Sequence, residues 1–236
     1  MFSRELLLKQ TEHKIEWNKY YPLVAADKPI KIKEVDLRNC LKFANDSAPT
    51  TNYSGRNQTD MLKITRQALF GKIAEFGVYN STLFNGFSKP DLAVYKGVDK
   101  SWESDLSNKK FKLAVKSWSS TQSKTVMSWV FQWKDLSGGG NDSEMFLKGS
   151  NEIICCTLVD YTEMITQVVS VFTVAEAVEN KWFQEPVKES LKGIKKCIYY
   201  DWISSAKSNK IPTISDKAKE LLGIKRGRDY KIETNL

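Results

Sequence analysis

Between residues 59 and 79 the apolar positions Met61, Leu62, Ile64, Ala68, Leu69, Ile73 and Phe76 recur at the spacing of one helical face. The stripe predicts a long amphipathic helix that Thr59 can cap, with Glu75 falling between its apolar turns. Two earlier helices are predicted. One spans residues 4–20, with Leu6, Leu7, Ile15 and Trp17 among charges, and one spans 35–46, with Val35, Leu37, Cys40, Leu41 and Ala44 roughly on one side. Residues 47–59 form a polar loop rich in turn formers. The pattern then changes to short apolar, β-branched runs. DLAVY (91–95), KLAVKSW (112–118), EIICCTLVD (152–160) and MITQVVSVFTV (164–174) each predict a strand. A charged, hairpin-like connection joins the first two. AEAVENKWF (175–183) returns to helix, and SGGGND (137–142) is the piece with the greatest backbone freedom. Strands flanked by helices on both sides imply an α/β fold around a mixed sheet.

Composition narrows the class. A chain of 236 residues with 41% hydrophobic positions and seven tryptophans builds a sizeable core and is no disordered tract. No apolar run reaches the roughly 18 residues of a membrane helix. The N-terminal MFSRELLLKQTEHK has three leucines before charge resumes, unlike a signal peptide. Cys155 and Cys156 are strand neighbours that point to opposite faces, which suits neither zinc nor a disulfide. With Cys40 and Cys197 they read as small buried residues, and a reducing, cytoplasmic setting is expected.

Absences exclude several chemistries. The single histidine, His13, cannot assemble a Ser-His-Asp hydrolase or a two-histidine phosphodiesterase. There is no G-x-x-x-x-G-K-[ST] phosphate loop and no Cys/His spacing for a zinc finger.

What remains is an ordered set of charged groups. Hydrolysing a phosphodiester requires an activated water, neutralisation of charge on phosphorus, and protonation of the leaving oxygen, and Mg²⁺ held by hard oxygen ligands serves all three. GKIAEFGVYN (71–80) carries Glu75 on the long helix, KPDLAVY (89–95) carries Asp91 after Pro90, and KFKLAVKSW (110–118) carries Lys116 on a strand. Over about residues 58–175 this order resembles the core of the PD-(D/E)XK nuclease superfamily, the fold of many restriction endonucleases. The position two before the motif lysine is Ala114 rather than an acid, and some members supply the missing carboxylate from a nearby helix, a place Glu75 would fill. The resemblance implies a restriction-endonuclease-like core with a central mixed β-sheet flanked by helices. It implies Glu75, Asp91 and the Val115 carbonyl as ligands of Mg²⁺, for which Mn²⁺ would substitute, and Glu75, Asp91 and Lys116 as the catalytic set. Lys116 would orient the attacking water or stabilise developing charge.

Charge adds a partner. The net charge of +8 is uneven, because from Lys181 onward 13 Lys/Arg face 7 Asp/Glu, a surplus of six. A basic surplus favours a polyanion, and Lys219, Lys225, Arg226, Arg228 and Lys231 are the expected contacts to DNA phosphates. The expected organisation is an N-terminal helical region (1–57), a nuclease core (58–183) and a basic C-terminal region (184–236) packed on it as one compact domain. The expected activity is a metal-dependent endodeoxyribonuclease on double-stranded DNA, of restriction or phage/mobile-element type. A homodimer is plausible because duplex cleavage needs two sites. The alternative is a non-catalytic DNA-binding protein that keeps the fold without the acid at position 114.

Overall fold

The chain's computed structural model describes residues 1–9, 26–50, 59–95, 105–119, 128–133, 153–160, 163–200 and 213–224. At its centre lies β5 (Ile153–Asp160), buried along its whole length, which is what the unbroken apolar run IICCTLV demands of a strand covered on both faces. Beside it β3 (Lys112–Ser119) runs parallel, with Val115 opposite Cys155 and Lys116 opposite Cys156. On the other side β6 (Ile165–Thr173) runs antiparallel, with a register shift at Cys156/Thr157. Two two-residue strands close the edges, β1 (Ile30–Lys31) against β6 and β2 (Leu106–Ser107) against β3. The result is a mixed five-stranded sheet in the order β1–β6–β5–β3–β2. A separate antiparallel pair is formed by β4 (Ser128–Gln132) and β7 (Lys195–Tyr199). Neither of these strands is among those the sequence pattern predicts.

The two faces of the sheet are covered differently. On one, α2 (Glu34–Ser47) and α3 (Met61–Tyr79) bury Leu37, Cys40, Leu69, Ile73 and Phe76. Full burial of side chains like Leu69, Ile73 and Phe76 is worth roughly 2 kcal/mol each relative to exposure. On the other face an aromatic core of Trp118, Trp129, Phe131, Phe172 and Trp182 fills the space toward the β4–β7 pair. Both faces reach into the expected C-terminal region, since Ile198 of β7 joins the aromatic core and Ala218 packs with Leu113 and Cys155.

α3 approaches the sheet closely at one point. A Cβ on Gly77 would stand 2.3 Å from the Cβ of Thr166 on β6, so only glycine permits this contact. Thr166 also donates its hydroxyl to the Ile73 carbonyl at 3.3 Å. The contact sets the height of the helix over the sheet, and with it the position of Glu75 two residues before.

Several expectations need correction. Residues 91–95 form no strand: Asp91 takes the Ala93 N–H into a local turn at 2.8 Å. The ladder position beside β2 is held instead by Ser88, whose N–H donates to the Ser107 carbonyl at 2.6 Å. The cap of α3 is Asp60, not Thr59, with its carboxylate on the Lys63 N–H. The first helix, α1, is seen as Arg4–Leu8, and the rest of the predicted span, with His13, lies outside the described residues. The segment 137–142 also lies outside them. The helix after β6, α4 (Val174–Glu179), is shorter than expected and starts with a Thr173/Glu176 capping box. Among the described residues no helix is long and apolar enough to cross a membrane.

Candidate active site

β2 accompanies β3 for two residues only, with Leu106 opposite Leu113 and Ser107 opposite Lys112. One further step of this register sets Asp105 opposite Ala114. There the chain bends away, and the Val115 N–H would lose its ladder partner; the Asp105 carboxylate accepts it instead, at 2.7 Å. In a strand the N–H and C=O of one residue leave on the same edge. The neighbouring Lys116 carbonyl faces β5, where Thr157 donates to it at 3.2 Å. The Val115 carbonyl therefore faces the edge that Asp105 occupies.

Glu75 comes to this edge from α3. It is buried, and Lys72, one helical turn earlier, holds its carboxylate at 2.6 Å. Burial raises its pKa most, the negative charge of Asp105 raises it further, and Asp91 adds a smaller push. The Lys72 ammonium opposes these effects, and the outcome is a carboxyl pushed up to about 8. Lys72 is itself largely enclosed and lies 4.8 Å from the centroid of the Phe43 ring. Cys40 on α2 is pushed up to about 12, by burial and then by the charges of Glu75 and Asp36, and is an inert thiol.

Asp91 is exposed, on a loop pinned from several sides. Ser88 and Ser107 bond reciprocally, the Ser107 N–H donating to the Ser88 hydroxyl at 3.0 Å. Lys89 lies over the Phe76 ring and 4.0 Å from Asp36, and Pro90 is buried. The Asp91 carboxylate is oriented by the Ala93 N–H and by the Tyr95 hydroxyl at 2.7 Å.

The expected residues thus divide. Asp105, which the sequence pattern leaves inside a charged connection, is bonded to the Val115 N–H at the edge of β3, and its charge and that of Asp91 act on the buried Glu75. Lys116 does not join them. Alternation along β3 turns it to the face opposite α3, where its ammonium lies 5.2 Å from the centroid of the Phe131 ring and its charge acts on Cys156. Among the described residues, the cation paired with Glu75 is Lys72. Among the described residues no three His, Cys, Asp or Glu side chains are grouped closely enough to hold a metal ion between them.

Of the expected DNA contacts, Lys219 is on α5 (Asp216–Leu222), paired with Asp216 at 3.3 Å. That helix is fixed by Ser215, which caps it and donates to Glu176 at 2.7 Å, and it ends at Gly223 in the left-handed conformation. Lys225, Arg226, Arg228 and Lys231 lie outside the described residues. The signal that could have found Asp105 is the turn at Asn108: a tight hairpin there places residue 105 across from 114 by counting alone. No family model, curated protein or solved structure matches this chain.

Proposed function

We propose that the chain is a Mg²⁺-dependent endodeoxyribonuclease, a divergent relative of the PD-(D/E)XK enzymes, whose acids are Glu75, Asp91 and Asp105. The observation that carries this reading is the pairing of Asp105 with the Val115 N–H at 2.7 Å beside a buried Glu75 that feels its charge. The acid absent at Ala114 is then delivered from across the hairpin. A buried carboxylate that feels the negative charge of Asp105 and Asp91 is an arrangement that stability alone does not favour.

The three carboxylates and the Val115 carbonyl offer oxygen alone, the chemistry a hard divalent cation takes, and the acids would have to draw closer than they stand here to share one. Bound there, Mg²⁺ would supply neutralisation of phosphate charge and a more acidic water. The protein's own groups prepare the place. The Val115 N–H orients Asp105, the Tyr95 hydroxyl and Ala93 N–H orient Asp91, and Lys72 holds Glu75 while carrying the positive charge expected of Lys116. The non-catalytic alternative draws on one observation, the ammonium of Lys116 lying on the far face.

The test is supercoiled plasmid incubated with protein and Mg²⁺. Relaxed or linear product is expected, lost with a chelator and lost in Asp105→Asn and in Glu75→Gln by at least about 10³-fold, with far-UV circular dichroism unchanged. Wild-type plasmid left intact while DNA is still bound would favour the non-catalytic reading.

A further inference from the structure

The turn joining β2 to β3 carries Lys109, Lys110 and Lys112, all exposed. Its shape is fixed locally. Asn108 accepts the N–H groups of Lys110 and Phe111 on its side-chain oxygen, both at 2.8 Å, and donates its own N–H to the Phe111 carbonyl at 2.9 Å. Phe111 anchors the turn from below, half-buried against the core that holds Leu106 and Leu113. Many other lysines here are neutralised within the fold, as in Lys42–Asp46, Lys192–Glu189, Lys196–Glu185 and Lys219–Asp216. Among the described residues Lys109, Lys110 and Lys112 take part in no ion pair. Three ammonium groups stand on a hydrogen-bonded, core-anchored turn, so the backbone is already ordered and only the lysine side chains lose conformational freedom when an anion arrives.

Its place matters as much as its charge. Lys112 is three residues from Val115, so at about 3.3 Å per residue the turn begins about 10 Å along β3 from the acid edge. A duplex advances about 3.4 Å per base step, so that spacing is about three steps along a DNA backbone. We infer that the β2–β3 turn grips the phosphate backbone of duplex DNA a few nucleotides from the bond at the acid edge. The inference rests on the nuclease reading for its register, and it adds a grip in a different part of the chain from the basic C-terminal segment. Because lysines offer point charges without a planar fork, the turn binds phosphate independently of base sequence.

The experiment uses the full chain in Ca²⁺ buffer with a fluorescein-labelled 30-bp duplex of random sequence, titrated across 50–200 mM salt. Two triple variants are compared with wild type: Lys109→Gln/Lys110→Gln/Lys112→Gln, and Lys181→Gln/Lys188→Gln/Lys192→Gln, which removes the same charge near α4 and β7. The turn variant is expected to lower the log–log salt slope by about 2 to 3 and weaken binding at least ~10-fold on every sequence, the second variant by much less. Equal losses in both would mean bulk charge rather than a grip, and would overturn the inference. So would an unchanged slope in the turn variant. If that result accompanies Mg²⁺-dependent plasmid cleavage, the grip is refuted and the nuclease reading stands. A reduced slope in a protein that never cleaves plasmid supports the grip and removes the nuclease reading.

Discussion

The two faces of β3 carry opposite kinds of chemistry. Toward α2 and α3, and at the edge where β2 ends, stand Glu75, Asp105 and Asp91, with Lys72 paired to Glu75. On the reverse, Lys116 and Trp118 enter an aromatic core with Trp129, Phe131 and Phe172. Val115 and Lys116 are adjacent in sequence, yet a strand's period of two sends their side chains into these separate environments. A linear motif such as Ala114-Val115-Lys116 collapses that distinction, and the sheet restores it. The lesson is that a lysine's function follows the face it occupies: next to a buried carboxylate it balances charge, and over a phenyl ring it packs.

The comparison breaks most sharply in activity. Lys72→Gln is expected to lower cleavage about 10²-fold or more, as loss of a preorganised charge does, while Lys116→Gln lowers it less than about 3-fold. Lys116→Gln is instead expected to lose about 1 kcal/mol of unfolding free energy with its contact to Phe131, read from urea denaturation. Reversal of the two activity effects would return the catalytic role to Lys116 and require its side chain to leave the aromatic face.

A smaller effect tests how α3 brings Glu75 to the edge. Gly77→Ala puts a methyl where Thr166 already stands, so the variant is expected to lose about 1–3 kcal/mol and to lose cleavage with it. A variant as stable as wild type would show that the helix has room to rise, and that its height does not position the acid.

The smallest effect is in pH. Glu75 has a folded pKa raised to about 8, burial being the main cause, above the ordinary carboxylate value it would have in the unfolded chain. The folded state therefore holds a proton that the unfolded state has released. The stability this contributes is complete below the unfolded value and is lost as pH rises from about 4.5 through about 8. Glu75→Gln has no such proton, so its unfolding midpoint in urea is expected to fall less than that of wild type across this window. Parallel profiles for the two proteins would mean that Glu75 stays ionised with Lys72 throughout.

Much of the framework was legible in the sequence. α2 and α3 are long enough for their period to show, β3, β5 and β6 show as apolar, β-branched runs, and Cys155 and Cys156 do bury on opposite faces as free thiols. β4 and β7 were not legible, because each is only five residues long and β7 opens on two lysines rather than on apolar residues. DLAVY at 91–95 alternates like a strand, but hydrogen bonds to the Asp91 carboxylate and the Ser88–Ser107 clasp satisfy that region otherwise. Glu75 and Asp91 stand out from their order along the chain, and the charge of Asp91 is the smallest of the influences on Glu75. Asp105 becomes visible only once the hairpin turn at Asn108 is recognised, since its relation to Ala114 lies in the register of that hairpin.

The central claim is that Asp105 completes the acid edge with Glu75. Its most direct test is Mn²⁺ binding, followed by loss of the free-ion electron paramagnetic resonance signal. Wild type is expected to bind Mn²⁺, Asp105→Asn and Glu75→Gln to bind at least ~10-fold more weakly, as loss of a charged ligand requires, and Lys116→Gln to bind as wild type does. Equal Mn²⁺ affinity in wild type and Asp105→Asn would contradict the account.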